Sequence, residues 1–265
     1  MTLTNMFMKS YAHFYKQFVK LAKVSAGEWE WIGVYPLVHI FSIGFLVMFL
    51  EGIGTNKNAA IYMLVGAFAW NFYVLCQRGI TYGILPEIWS DSAKHLIISP
   101  STVKDFILGN GTSGTFSALI SVFIMHIVAS AVFSFNIFNA GPALILALAG
   151  LMLYGLAEGL VINAAMMLKG PEYMNLTWII TGIVMVLSAV YYPLELLPKE
   201  VRLISNLLPT TYAIQSIRTV LVGTGNGIAE GLMSIGIGLV YLAIAALVFK
   251  WAIDKSRENG TILRL

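Results

Sequence analysis

The residue with the strongest claim to chemistry is Glu158, set in Gly155-Leu156-Ala157-Glu158-Gly159 near the middle of a long apolar run. A carboxylate at the centre of a membrane-crossing helix costs roughly 2.5 kcal/mol or more, so it must face protein or water. It is either a pathway-lining or proton-linked group, or a structural acid bonded to a neighbouring helix, and the structural role is preferred. His39 falls at a matching depth in the first apolar run and is the expected partner.

Other familiar chemistry is missing from the sequence. There is no G-x-x-x-x-G-K-[ST] phosphate loop, no His-Glu-x-x-His and no Gly-x-Ser-x-Gly. His13, His39, His95 and His126 are scattered without metal-ligand spacing. Cys76 is the single cysteine, so it can form neither an internal disulfide nor a thiolate metal site. The chain is therefore expected to bind no cofactor of its own and to hydrolyse no nucleotide.

The elements that must hold Glu158 and His39 are apolar throughout. Of the 265 residues 58% are hydrophobic and 11% charged, against about 25% charged in ordinary soluble domains. The apolar residues come in long runs, for which a bilayer is the favourable solvent. Six runs are expected to cross it, over residues 32–50, 59–77, 106–135, 143–168, 176–192 and 228–253. The fourth follows Gly141-Pro142, a pair that breaks one segment and starts the next. Ahead of them, Phe7, Tyr11, Phe14, Phe18 and Leu21 recur every three or four residues among Lys9, Lys16, Lys20 and Lys23. That pattern predicts a basic amphipathic helix lying on an anionic leaflet, with Trp29 and Trp31 marking the membrane boundary.

Lysine and arginine set the orientation. With the N-terminus inside, inner segments hold Lys9, Lys16, Lys20, Lys23, Arg78, Lys94, Lys104, Lys169, Lys250, Lys255, Arg257 and Arg264, and outer ones only Lys57, Lys199, Arg202 and Arg218. Both termini are expected in the cytoplasm. Basic residues are not interleaved with base-stacking aromatics, so nucleic acid is not an expected partner.

Two connections are more than loops. The inner one, residues 78–105, carries a stretch in which Pro86 can start a helix and Glu87 suits its first turn. Ile88, Trp89 and Leu96 would give that helix an apolar face for a partner, with Asp91 and Lys94 beside it. The outer one, residues 193–218, is punctuated by Pro193, Pro198 and Pro209 around apolar pieces too short to cross a membrane. Such pieces are expected to dip into or lie on the outer leaflet as short helices.

These two connections resemble those of ABC transporter permeases of the type 2 class. The inner one ends in Leu96-Ile97-Ile98-Ser99-Pro100-Ser101-Thr102, similar to the run those permeases carry before the third span. The outer one has Pro193-Leu194-Glu195-Leu196-Leu197-Pro198, then Pro209-Thr210-Thr211-Tyr212, then Arg218. The six-span plan and the N-terminal helix are similar too, so the likeness covers essentially the whole chain. Where many members carry Glu-Arg-x-x-Gly-Thr, this chain reads Arg78-Gly79-Ile80-Thr81-Tyr82-Gly83, without the glutamate.

The resemblance implies an all-α, polytopic fold: a cytoplasmic interface helix over residues 1–31, a six-helix transmembrane domain over 32–253, short re-entrant helices before the last span, and a cytoplasmic tail over 254–265. It implies the membrane subunit of an exporter in a bacterial or archaeal inner membrane. A second permease copy, the same chain or a related one, would complete the pathway among membrane lipids. A separate ATP-binding cassette subunit would bind ATP and Mg and dock on Pro86, Glu87, Ile88, Trp89, Asp91, Lys94 and Leu96. Pro193, Leu197, Pro198, Pro209 and Tyr212 would belong to the outer gate. The cargo would be amphipathic: a drug, a lipid or a lipid-linked glycan. Two other classes stand beside this one. An ion-coupled secondary transporter would use Glu158, and a membrane enzyme would need polar groups converging at one depth.

Overall fold

The structure is a computed structural model that describes Tyr15 and residues 29–54, 57–89 and 103–259, with the backbone alone at 57 and 84–89. The N-terminal amphipathic stretch, the motif at 96–102 and the end of the tail lie outside the described residues. Among the described residues the chain is all-helical, with no strand. Helix α1 is Tyr35–Gly52, α2 Lys57–Trp89, α3 Val103–Phe133, α4 Pro142–Lys169, α5 Leu176–Leu187, α6 Lys199–Ser205, α7 Pro209–Val222 and α8 Ile228–Asn259. A π-helical turn, Glu30–Val34, leads into α1, and short 3-10 turns stand at Ile137–Ala140, Pro171–Asn175 and Leu194–Leu196.

Among the described residues five segments are long and apolar enough to cross a membrane: Glu30–Gly52, Asn58–Gly83, Val103–Phe133, Pro142–Lys169 and Ile228–Asn259. The chain is thus a multi-pass membrane protein. The expected fifth span is instead a shorter apolar unit, Pro171–Leu187, in which a 3-10 turn runs into α5. It stops at Leu187 rather than reaching 192, because the chain turns through Ser188 and Ala189, the latter at φ 51. Helix α2 differs the other way. It runs on past 77 to Trp89 without a break, so Pro86 lies in its last turns and does not start a new helix. At 33 residues α2 is about 50 Å long, well beyond a ~30 Å hydrocarbon core.

Proline and glycine set the helix ends. Pro36 and Pro142 occupy first-turn positions, where a missing N–H costs nothing. Helix α7 closes on Gly223 in the left-handed region, the common C-terminal cap.

Helix α4 is the hub, packing along α8 and α2 and against α7, while α3 lies on the other side of α2. Most of α2 is buried, whereas α1, α3 and α8 turn large apolar side chains such as Phe49, Phe123 and Leu247 outward. Those side chains meet lipid at little cost. The aromatic run Phe68, Trp70, Phe72 and Tyr73 is buried in the core, not turned to lipid. The Gly155/Gly159 pair works as its spacing predicts. A Cβ at Gly159 would lie 2.7 Å from Ile80 Cβ and 2.8 Å from the Gln77 carbonyl oxygen, so α2 and α4 touch nearly backbone to backbone.

Candidate functional site

Three polar constellations stand out in this apolar bundle. The first surrounds Glu158, which is only 6% exposed. The Tyr73 hydroxyl of α2 donates to Glu158 Oε2, and the Thr181 hydroxyl of α5 donates to Oε1 at 2.8 Å. One carboxyl group therefore ties α4 to helices on both sides. Nearby, Asn163 Nδ2 donates to the Ile80 carbonyl at 2.9 Å, and Ser121 donates to Asn71 Oδ1 at 2.6 Å. Gln77 bonds within its own helix, to Thr81 at 2.8 Å. Tyr73 also stacks on Tyr154 at 5.7 Å, which meets Tyr241 of α8 edge-on at 5.2 Å.

The expected Glu158–His39 pair does not form. Both carboxyl oxygens are taken by Tyr73 and Thr181, and His39 Nε2 shares a 2.7 Å hydrogen bond with the Tyr191 hydroxyl. Similar positions within their apolar runs did not bring the two side chains together: Glu158 meets Thr181 of α5, and His39 meets Tyr191 beyond the end of that helix. Neither Tyr73 nor Thr181 was singled out as a partner, although Thr177 and Thr181, four residues apart in an apolar helix, mark a polar face turned to protein.

The second constellation closes one end of the bundle. At this end, called the top, lie the starts of α2, α4 and α8 and the end of α7. Ser216 of α7 donates to the carbonyls of Ala143 at 3.3 Å and Gly227 at 2.6 Å. Helix α7 starts deeper: Ser234, about 9 Å down α8, donates to the Pro209 carbonyl at 2.8 Å. Arg218, 4% exposed, is the central group here. Its guanidinium donates to the carbonyls of Ala189 at 3.0 Å, Tyr192 at 3.2 Å, Val190 at 2.5 Å and Tyr62 at 2.9 Å. It also stands 4.5 Å over the Tyr62 ring. Burial pulls its pKa down to about 9, while Tyr62 and Glu195 push the other way, and it stays protonated at neutral pH.

Arg218 thus satisfies carbonyls that the turn after α5 leaves open, and pins that turn to α2. Gly66 completes the contact, because a Cβ there would fall 1.9 Å from the Val190 carbonyl oxygen. Ser188 and Thr210 share a further hydrogen bond between the end of α5 and the start of α7.

No family model matches the chain, and no curated protein matches it.

The expected outer-gate residues fall along the connection that this clamp holds. Pro193 precedes the 3-10 turn, Leu197 follows it, Pro198 caps α6, and Pro209 and Tyr212 stand in the first turn of α7. Arg202 fixes the 3-10 turn by donating to the carbonyls of Glu195 at 2.7 Å and Leu197 at 3.1 Å. Of the expected docking residues, Pro86, Glu87, Ile88 and Trp89 lie in the last turns of α2, while Asp91, Lys94 and Leu96 fall outside the described residues. Among the described residues no cluster of His, Cys, Asp and Glu could hold a metal ion.

The third constellation is a row of rings between α1 and α5. Trp31 lies 5.1 Å from Tyr35 and 5.9 Å from Trp178, and Tyr35 lies 6.0 Å from His39. His39 meets Tyr191 edge-on at 6.1 Å. Arg78 of α2 stacks 3.6 Å over Trp31 and 4.1 Å over Tyr82. Chemically, the three sites offer clamping, helix tethering and ring stacking.

Proposed function

We propose that this chain is the membrane-spanning permease subunit of an ATP-driven ABC exporter, paired with a second permease copy and coupled to a separate ATPase subunit. The observation that carries the proposal is the build of the 188–227 connection. A connection that merely joined two helices would need a few residues. This one is cut into three short helical pieces and folded back so that Arg218 and Ser216 hold it against the starts of α2, α4 and α8. That is how a closure over the mouth of a pathway would be built. The proline-punctuated sequence resembling type 2 permeases occupies the same residues.

In this reading the top of the bundle is the outer side and both termini are cytoplasmic, in the inner membrane of a bacterium or archaeon. Pro171–Leu187 is the remaining crossing, which makes six. Its 17 residues span about 25 Å, slightly less than the hydrocarbon core, a shortfall that local thinning or the following turn can absorb. Helix α7 is then re-entrant, rising from the depth of Ser234 to the outer surface. Helix α2 extends past the inner leaflet toward the 90–102 segment, where an ATPase would dock. ATP and Mg belong to that partner.

The sealed setting of Glu158 favours a structural acid over a proton site, so the ion-coupled alternative is not adopted.

The test is co-purification of the tagged chain from its native membrane with an ATP-hydrolysing subunit, comparing the intact chain with the double variant Glu87→Arg, Trp89→Ala. The proposal expects a stoichiometric ATPase that the double variant loses or uncouples. An intact chain that folds, yet carries no ATPase, would end it.

A further inference from the structure

Two helices hold consecutive residues of the turn after α5. From α2, Gly66 lies against the Val190 carbonyl, and the Tyr62 carbonyl shares the Arg218 guanidinium with it. From α1, His39 Nε2 shares a 2.7 Å hydrogen bond with the Tyr191 hydroxyl, and the two rings meet edge-on. The turn can keep both grips only while α1 and α2 keep their register.

A second tie between the same two helices lies about 18 Å down α2 from Gly66. There the Arg78 guanidinium stands 3.6 Å over the Trp31 ring of α1 and 4.1 Å over Tyr82, one turn along its own helix. A planar guanidinium stacks on ring faces in a way that an ammonium does not. Trp31 sits in the π-helical turn Glu30–Val34, a rare geometry that recurs at functional sites. Trp31, Tyr35 and His39 then follow at four-residue steps, with ring centroids 5.1 and 6.0 Å apart. The result is a closed frame: α2 on one side, the ring row of α1 on the other, Arg78 below and the turn above.

We infer that Arg78 is a latch: seated on Trp31, it keeps α1 and α2 in register and so holds the turn at 188–192 in place, and unseating it loosens that turn. The latch is a property of this chain alone. Its use rests on the exporter reading, because Arg78 stands about three turns before Trp89, where a docked ATPase would pull on α2. A merely local contact makes a different demand: its loss would be felt at the bottom of the bundle and not at the turn.

The experiment is hydrogen exchange on the full chain in lipid nanodiscs without any ATPase. The reporters are the amides of Ser188, Ala189 and Val190, which donate to the carbonyls of Val184, Val186 and Met185. Arg78→Leu should speed their exchange about three- to tenfold while the buried middle of α4 stays protected, and Trp31→Leu makes the same cut from the other side. Arg78→Lys should fall between. Ser256→Ala is the control: it removes a 3.0 Å bond to the Met167 carbonyl at the same end of the bundle but off the row, and should leave the turn unchanged. Arg78 and Tyr191 are too far apart to touch, so their effects would add if they were independent. In a Tyr191→Phe background, which removes the bond to His39 and keeps the ring, Arg78→Leu should add little. An unchanged turn in both folded row variants overturns the inference. So does equal loosening by Ser256→Ala, or full additivity with Tyr191→Phe. Failure to find an ATPase would leave these rates untouched, so the two readings fall separately.

Discussion

The carboxyl group of Glu158 accepts from Tyr73 and Thr181 at once, so its loss would strand two buried hydroxyls as well as open a hole. Glu158→Ala should lower stability by about 2–4 kcal/mol. Glu158→Gln keeps the volume, and its amide can bond to both hydroxyls after one of them rotates, so it should cost under about 1.5 kcal/mol. Thermal unfolding in detergent checks both. A Gln variant that unfolds normally but abolishes transport would restore a proton-carrying role for this residue. Arg218 presents the same logic with more partners. Arg218→Met leaves the carbonyls of Ala189, Val190, Tyr192 and Tyr62 without this donor and should cost at least ~3 kcal/mol. Arg218→Lys supplies one charged point in place of a planar fork and should fall between. Limited proteolysis across residues 188–208 should show the turn after α5 loosening first.

Among the helices, close approach of backbones decides what is tolerated. Gly159→Ala would drive a methyl group into Ile80 and the Gln77 carbonyl, so α2 and α4 must part, at about 1–3 kcal/mol. Gly236→Ala on α8 meets open space and should be neutral or up to ~1 kcal/mol stabilising, since alanine favours the helix. A melting comparison in which the two variants behaved alike would contradict the packing. The limits of the long helices were legible in the sequence because the length of an apolar run is itself a measure of bilayer thickness. Residues 143–168 were expected and Pro142–Lys169 found, bounded by Gly141 and Gly170. The ends of α2 and α5 were not legible. The inner connection is expected to begin at Arg78 and a new helix at Pro86, yet helix α2 runs on unbroken to Trp89, with Gly83 buried beside Asn110 of α3. Apolar residues continue to Tyr192, yet the helix ends at Leu187, because Arg218 from a distant segment collects the carbonyls beyond it. For the same reason the Tyr73–Glu158–Thr181 tie was hidden. Which polar groups meet depends on which helices adjoin, and a uniform apolar run carries no record of that.

For the whole molecule the decisive quantity is the number of crossings, which hangs on Pro171–Leu187. If this unit crosses, the chain makes six passes, and Glu51 and Glu200 share one side of the membrane with Glu258 on the other. If it lies within one leaflet, the chain makes five, and the sides of Glu200 and Glu258 exchange while Glu51 stays where it was. Glu51, Glu200 and Glu258 are all exposed, so a cysteine at each is tolerable and reachable. The native Cys76 is buried and its thiol lies against Thr115, which keeps it out of the reaction. Labelling intact cells with a membrane-impermeant maleimide should therefore mark Glu51→Cys and Glu200→Cys, and leave Glu258→Cys unmarked until the membrane is opened. The polar ties make the six-pass outcome the expected one. The face of α5 turned inward is Thr177, Thr181 and Val184, and Trp178, Ile179, Ile183 and Val186 cover the rest with apolar surface. A helix lying flat at an interface would turn a charged face to water. Helix α5 has no charged residue from Leu176 to Leu187, and its polar threonines point at Glu158 and the core. Only a hydrocarbon surrounding suits that distribution. Labelling of Glu258→Cys in intact cells without Glu200→Cys would refute this argument, and the placement of both termini in the cytoplasm with it.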